Sequence, residues 1–127
     1  QLSLEVAENM PLVFADISLV ERAVQNLLDN ALKFTPEGGK IKVSVSNDDR
    51  SVSIDIHDSG PGIPKNEQSL IFERYRQSKT GKEKSGAGLG LAIVKKIMDI
   101  HNSHVHVFSK PDHGTTFSLQ LPVYRLS

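Results

Sequence analysis

The hydrophobic residues of this chain change their period partway along it, and that change restricts the fold more than any other feature. From Ile17, apolar side chains recur at Val20, Val24, Leu27, Leu28 and Ala31, the spacing of one helical face. Asp16 stands in position to cap this helix, and Pro36 with Gly38-Gly39 to end it. Directly afterwards the period drops to two. Ile41, Val43 and Val45 alternate with polar residues, as do Val52, Ile54 and Ile56 beyond Asp48-Asp49-Arg50, which predicts a hairpin with one buried face. A second helix is expected around the stripe Leu91, Val94, Ile97, Met98 and His101. Two closing strands carry Val105 and Val107, then Phe117, Leu119 and Leu121, around the turn Asp112-His113-Gly114. Near the start, Leu2, Leu4 and Val6 alternate and Leu12-Val13-Phe14 follows Asn9-Met10-Pro11, which reads as two further short strands. Helices at two places among hairpins predict an α/β two-layer sandwich, a mixed β-sheet covered on one face by helices.

At 127 residues the chain is expected to be one domain, 1–127, long enough to bury roughly two-thirds of its unfolded surface without staples. Lys and Arg total 15, and so do Asp and Glu, so no net field gathers nucleic acid or an anionic membrane, and neither is expected as a partner. The absence of cysteine removes disulfides, thiolate metal sites and cysteine nucleophiles. No run approaches the roughly 18 apolar residues of a membrane span. The start, Gln1-Leu2-Ser3-Leu4-Glu5, has no signal-peptide pattern. A chain that opens at Gln in a strand-like pattern reads as a domain excised from a longer one. Its expected location is the cytoplasm, with any membrane anchor of the parent left open.

Three features carry candidate chemistry. Asp58 shares the parity of Val52, Ile54 and Ile56, so the pleat points its carboxylate to the apolar side at a strand end. A charge there needs donors, from main-chain N–H groups or from a ligand, although an Asp also caps turns such as Ser59-Gly60. Gly60 and Gly62 permit close approach or positive φ. On the first helix, Asn26 and Asn30 lie one turn apart and Lys33 follows, a set that suits a metal-bound polyphosphate and equally a solvated polar stripe. Finally, Gly86-Ala87-Gly88-Leu89-Gly90 opens the second helix, where free N–H groups and the helix dipole can receive phosphate. This run has neither Walker nor dinucleotide-binding spacing. The polar stretch Lys79 to Ser85 before it could serve as a lid or as an ordinary loop. None of the five histidines has a partner residue that marks it out, and surface or core-edge roles are expected for them.

In this order and spacing, the pieces resemble the catalytic ATP-binding domain of sensor histidine kinases, in the GHKL superfamily with the Bergerat fold. Asn26-Leu27-Leu28-Asp29-Asn30-Ala31-Leu32-Lys33-Phe34-Thr35-Pro36 resembles the N box, and Asp58-Ser59-Gly60-Pro61-Gly62-Ile63-Pro64 the D-x-G-x-G box. Ile71-Phe72-Glu73-Arg74-Tyr75 resembles the F box, with Tyr75 where Phe is usual. Gly86 to Val94 resembles the second glycine box, and Gly114-Thr115-Thr116-Phe117 the closing strand motif. The resemblance covers nearly the whole chain.

It implies a role for each matching residue. Asp58 would accept a hydrogen bond from the adenine amino group, and Thr115 would bring its hydroxyl to the base pocket. Asn30 would hold Mg²⁺, with Asn26 and Lys33 at the phosphates as the other members of the catalytic set, and Phe34 would lie near adenine. Gly60, Gly62 and Ile63, then Phe72, Arg74 and Tyr75, complete the nucleotide-binding set together with Gly86, Gly88, Leu89, Gly90 and Leu91. Residues from about Arg76 to Ser85 would form the ATP lid. In hydrolytic relatives such as gyrase and MutL, a Glu that activates water occupies the place of Asn26, so hydrolysis is disfavoured here. The implied function is to bind Mg·ATP and give its γ-phosphoryl group to a histidine on a separate dimerisation and phosphoacceptor domain, with a response regulator further along. A nucleotide-gated interaction module without phosphotransfer, and a GHKL ATPase, are the alternatives. Asn102-Ser103 stands where two glycines are common in the family, and Asn tolerates the left-handed geometry that turn requires.

Overall fold

A computed structural model describes residues 2–6, 15–68, 70–72, 87–110 and 112–123. The elements are β1 (Leu2–Val6), α1 (Ile17–Phe34), β2 (Ile41–Asn47), β3 (Ser51–Asp58), α2 (Lys65–Gln68), α3 (Ala87–Ile100), β4 (His104–Ser109) and β5 (Thr115–Pro122). The strand expected at Leu12-Val13-Phe14 lies outside the described residues, as do the expected lid and Arg74, Tyr75 and Gly86.

The strands form one sheet in the order β1-β2-β3-β5-β4. β1 runs parallel to β2, and the other pairings are antiparallel, so the sheet is mixed, as helices among hairpins predict. Inward positions of β2, β3 and β5 (Ile41, Ile56, Phe117, Leu119, Leu121) share a core with Ala23, Leu27 and Ala31 of α1 and Leu91, Val94, Ile97 and Met98 of α3. Burying side chains as large as Phe117, Leu27 and Met98 supplies about 1.5–3 kcal/mol each. The opposite face is polar and exposed at Lys42, Ser46, His57, His104 and His106, which makes the protein two layers deep.

Both long helices end as their local residues require. Asp16 accepts the N–H of Leu19 on its side chain (3.1 Å) and caps α1. Replacing it with Ala should cost about 1 kcal/mol, read as a lower urea midpoint with an unchanged slope. At the far end of α3, Asn102 has φ of 53° and Ser103 donates its N–H to Met98 O (2.8 Å), closing the helix with a left-handed residue. Asn therefore does take over the glycine conformation. His101 lies just past the helix, not within its stripe, and it joins two elements. Its Nδ1 is bonded to Ile97 O (2.8 Å), and its Nε2 accepts the N–H of Asp16 (2.9 Å), tying the start of α1 to the end of α3. No described helix is long and apolar enough to cross a membrane.

Candidate functional site

The register brings one row of polar side chains to the end of the sheet. Asp58 on β3 faces Thr115 on β5, and Thr115 in turn faces Ser109 on β4. Asp58 is 4% and Thr115 5% exposed, so the carboxylate does sit on the core side, as pleat parity requires. Burial pushes the Asp58 carboxyl above its ordinary value, while the main-chain N–H of Gly60, the charge on His57 and the main-chain N–H of Thr115 pull the other way. The Gly60 N–H reaches Oδ1 at 2.8 Å. An ionised carboxylate has about four lone-pair sites, so these donors leave capacity for a ligand's N–H group.

The wall around Asp58 is main chain. A Cβ on Gly60 would stand 2.9 Å from both Asp58 Oδ1 and the Phe34 carbonyl oxygen. A Cβ on Gly114, whose φ is +82°, would run into the Asp58 carbonyl oxygen and come within 3.3 Å of Ser59 Cα. Gly62 also has positive φ, 83°. Ile63 follows it, and its N–H is held by Ser109 Oγ at 2.7 Å.

The asparagines of α1 do not form a solvated stripe. Asn26 Nδ2 and Asn30 Oδ1 are buried, and neither has a hydrogen-bond partner among the described residues; Thr35 Oγ1 shares that condition. A buried unpaired amide atom is costly unless something else satisfies it. The two atoms have opposite chemistry one turn apart. Asn26 offers a donor suited to an anionic oxygen, and Asn30 a neutral oxygen suited to a hard cation such as Mg²⁺. The donor set therefore fits a magnesium phosphate. Gly90, in the first turn of α3, lies against the same place, since a Cβ there would meet Asn26 Cβ at 4.0 Å. Gly88 and Leu89 belong to that same first turn, so the start of α3 and Asn26 of α1 come together.

Lys33 and Phe34 are at the exposed end of α1, with Phe34 37% exposed. The Phe72 ring packs edge-on against Phe117 with centroids 6.1 Å apart, and Leu91 is part of the core. Two residues that no sequence motif singles out secure the site. Ser109 bonds Ile63 N, Gly114 O and Thr115 Oγ1, and Gln68 Nε2 donates to Ile63 O (2.9 Å) and Ser109 O (3.0 Å).

Comparison with known proteins converges on one group. The family profile described as "Histidine kinase-, DNA gyrase B-, and HSP90-like ATPase" matches residues 15–125. The Adaptive-response sensory kinase SasA of Rippkaea orientalis is 43% identical over 122 residues, 95% of this chain and 31% of that protein. This chain thus spans about a third of the length of such relatives. Among solved structures, the mycobacterial sensor histidine kinase MprB superposes with a TM-score of 0.83 at 36% identity, covering 98% of this chain and 86% of the other. Full-length ShkA in complex with AMPPNP gives 0.84 at 28% identity, covering 99% and 26%.

Proposed function

The chain belongs to the family of histidine kinase-, DNA gyrase B- and HSP90-like ATPases and is the catalytic ATP-binding domain of a sensor histidine kinase, and on that premise we propose that it binds Mg·ATP and passes the γ-phosphoryl group to a histidine on a separate dimerisation domain. The observation that carries this reading is the pair of buried amide atoms on α1 that have no partner among the described residues, a donor on Asn26 and an acceptor on Asn30. Full-length ShkA, a complex with AMPPNP, supports a nucleotide in the same fold. The roles of the residues are those that the family resemblance implies and their chemistry permits. Asp58 receives the amino group of the base, Asn26 and Lys33 hold phosphate oxygens, the N–H groups at the start of α3 cradle the polyphosphate, and Asn30 holds the metal. Bound Mg²⁺ would neutralise phosphate charge during the transfer. Asn26 has no carboxylate with which to activate water, so the domain orients the nucleotide for a protein acceptor and turns over slowly without one. The domain 1–127 is cut from a longer cytoplasmic region that contains this acceptor and meets a response regulator.

Titration of the fragment with a non-hydrolysable ATP analogue, with and without Mg²⁺, tests the nucleotide reading. Saturable binding strengthened by Mg²⁺ is expected, and Asn30→Ala should remove the Mg²⁺ increment while changing metal-free affinity less than about threefold, since the loss is of one metal ligand. Adding the separate dimerisation domain and labelled ATP should label its histidine. Binding without labelling would instead favour a nucleotide-gated interaction module, and rapid acceptor-free phosphate release an ATPase.

A further inference from the structure

Among the described residues, the hydrogen bonds of Ser109 Oγ can be counted out. Three groups surround its Oγ: the N–H of Ile63 at 2.7 Å, the carbonyl oxygen of Gly114 at 2.9 Å and Thr115 Oγ1 at 2.9 Å. A serine hydroxyl has one proton and two lone pairs. The Ile63 N–H takes one lone pair. The Gly114 carbonyl can only accept, so it takes the proton. One lone pair remains, and only a proton from Thr115 can fill it. Any other arrangement sets two oxygens 2.9 Å apart with no proton between them, beside a threonine that is 5% exposed.

The consequence falls on Thr115. Its single hydroxyl proton is committed to Ser109, so towards anything else Thr115 Oγ1 is an acceptor only. Its register neighbour Asp58, when ionised, is an acceptor only as well. We propose, resting on the reading of this row as the base pocket, that Ser109 is a positioning residue for base selection: by fixing the Thr115 proton it makes the pocket present acceptors alone. Such a pocket selects a purine with an amino group on its six-position and rejects one with an oxo group there, whose lone pairs would face those of Thr115. The selectivity is therefore held partly by a residue on the neighbouring edge strand that need not touch the base. Gln68 holds this arrangement in place, because its amide donates both to Ile63 O and to Ser109 O.

The test is the ratio of affinities for ATP and inosine triphosphate, whose base carries the oxo group, measured by competition against a fluorescent nucleotide. In Ser109→Ala the Thr115 proton is released and can turn towards the oxo group. The expected result is a three- to tenfold loss of ATP affinity with inosine triphosphate unchanged or tighter, so that the ratio shrinks about tenfold. Ser109→Thr keeps the hydroxyl and should keep the ratio. In a Thr115→Val background the ratio should already be small, and adding Ser109→Ala should leave it there. A role limited to tethering the loop would weaken both nucleotides equally, and an unchanged ratio in a folded Ser109→Ala protein overturns the proposal. If Ser109→Ala does not fold, the ratios of Thr115→Val and Ser109→Thr decide: a wild-type ratio in Thr115→Val, or a collapsed one in folded Ser109→Thr, overturns it equally. Wild type that binds neither nucleotide would overturn the base-pocket reading itself, and this proposal with it.

Discussion

Asp58→Asn is expected to weaken binding of an ATP analogue by about thirtyfold, roughly the 2 kcal/mol of a hydrogen bond to a charged group, while leaving the domain folded. The asparagine oxygen can still accept the Gly60 N–H that reaches Oδ1 at 2.8 Å. Its other terminus becomes a donor, however, and would face the donor it is meant to receive. The pH dependence separates this from general damage. Burial raises the Asp58 carboxyl, so the folded protein holds this proton more strongly than the unfolded chain does. That contribution to stability is complete below the ordinary carboxylate value and is lost as the pH rises through the raised one. Wild type should therefore gain stability relative to Asp58→Asn on acidification, as measured by urea midpoints at successive pH values. Nucleotide affinity should move the opposite way, falling as the carboxylate takes its proton. Wild-type affinity in a folded Asp58→Asn protein would remove Asp58 from the base pocket.

Gly114→Ala should cost about 2–4 kcal/mol of folding stability and abolish nucleotide binding. Two effects add. The left-handed backbone, φ +82°, is strained for any residue with a Cβ, by about 1–2 kcal/mol. The new methyl also runs into the Asp58 carbonyl, and backbone on both sides must shift to admit it. Gly38→Ala provides the control. Gly38 has the same sign of φ, +84°, but nothing lies within 4 Å of the added Cβ. Only the conformational term, the same ~1–2 kcal/mol, should appear there, with nucleotide binding retained. Equal losses in the two variants would show that the approach of Gly114 to Asp58 carries no weight.

How far the sequence could be read depended on whether a feature was local. The helix from Ile17 and the hairpin through Val43 and Ile56 follow from periodicity alone, and they appear as α1, β2 and β3. Parity likewise sufficed to place Asp58 on the core side of the sheet, where Thr115 is buried beside it. Periodicity could not decide whether Asn26 and Asn30 face water, because a polar residue at the flank of an apolar stripe gives one pattern for both cases. Asn26 lies against Gly90 of α3, a contact between segments some sixty residues apart in sequence that no local pattern records. Strand order was hidden for a similar reason: β5 lies between β3 and β4, and alternation records which face is buried but not which neighbour is beside it. Ser109 and Gln68 gave no signal, since the bonds that join their two segments span 46 and 41 residues and serine and glutamine are ordinary at those positions. His101 was legible as a half-buried residue, but its bond to Asp16 spans 85 residues.

The wall beside Asp58 is made of carbonyls and α-carbons of Phe34, Ser59, Gly60 and Gly114. Main chain is the one part of a protein that substitution does not replace, so a change at Ser59 alters its side chain while leaving its contribution to this wall in place. Mutational fragility is thereby concentrated at the two glycines, where any other residue must put a Cβ through the wall. Side chains on the rest of this wall can therefore change without moving the Asp58 carboxylate, whereas a side chain at either glycine cannot be added without moving it.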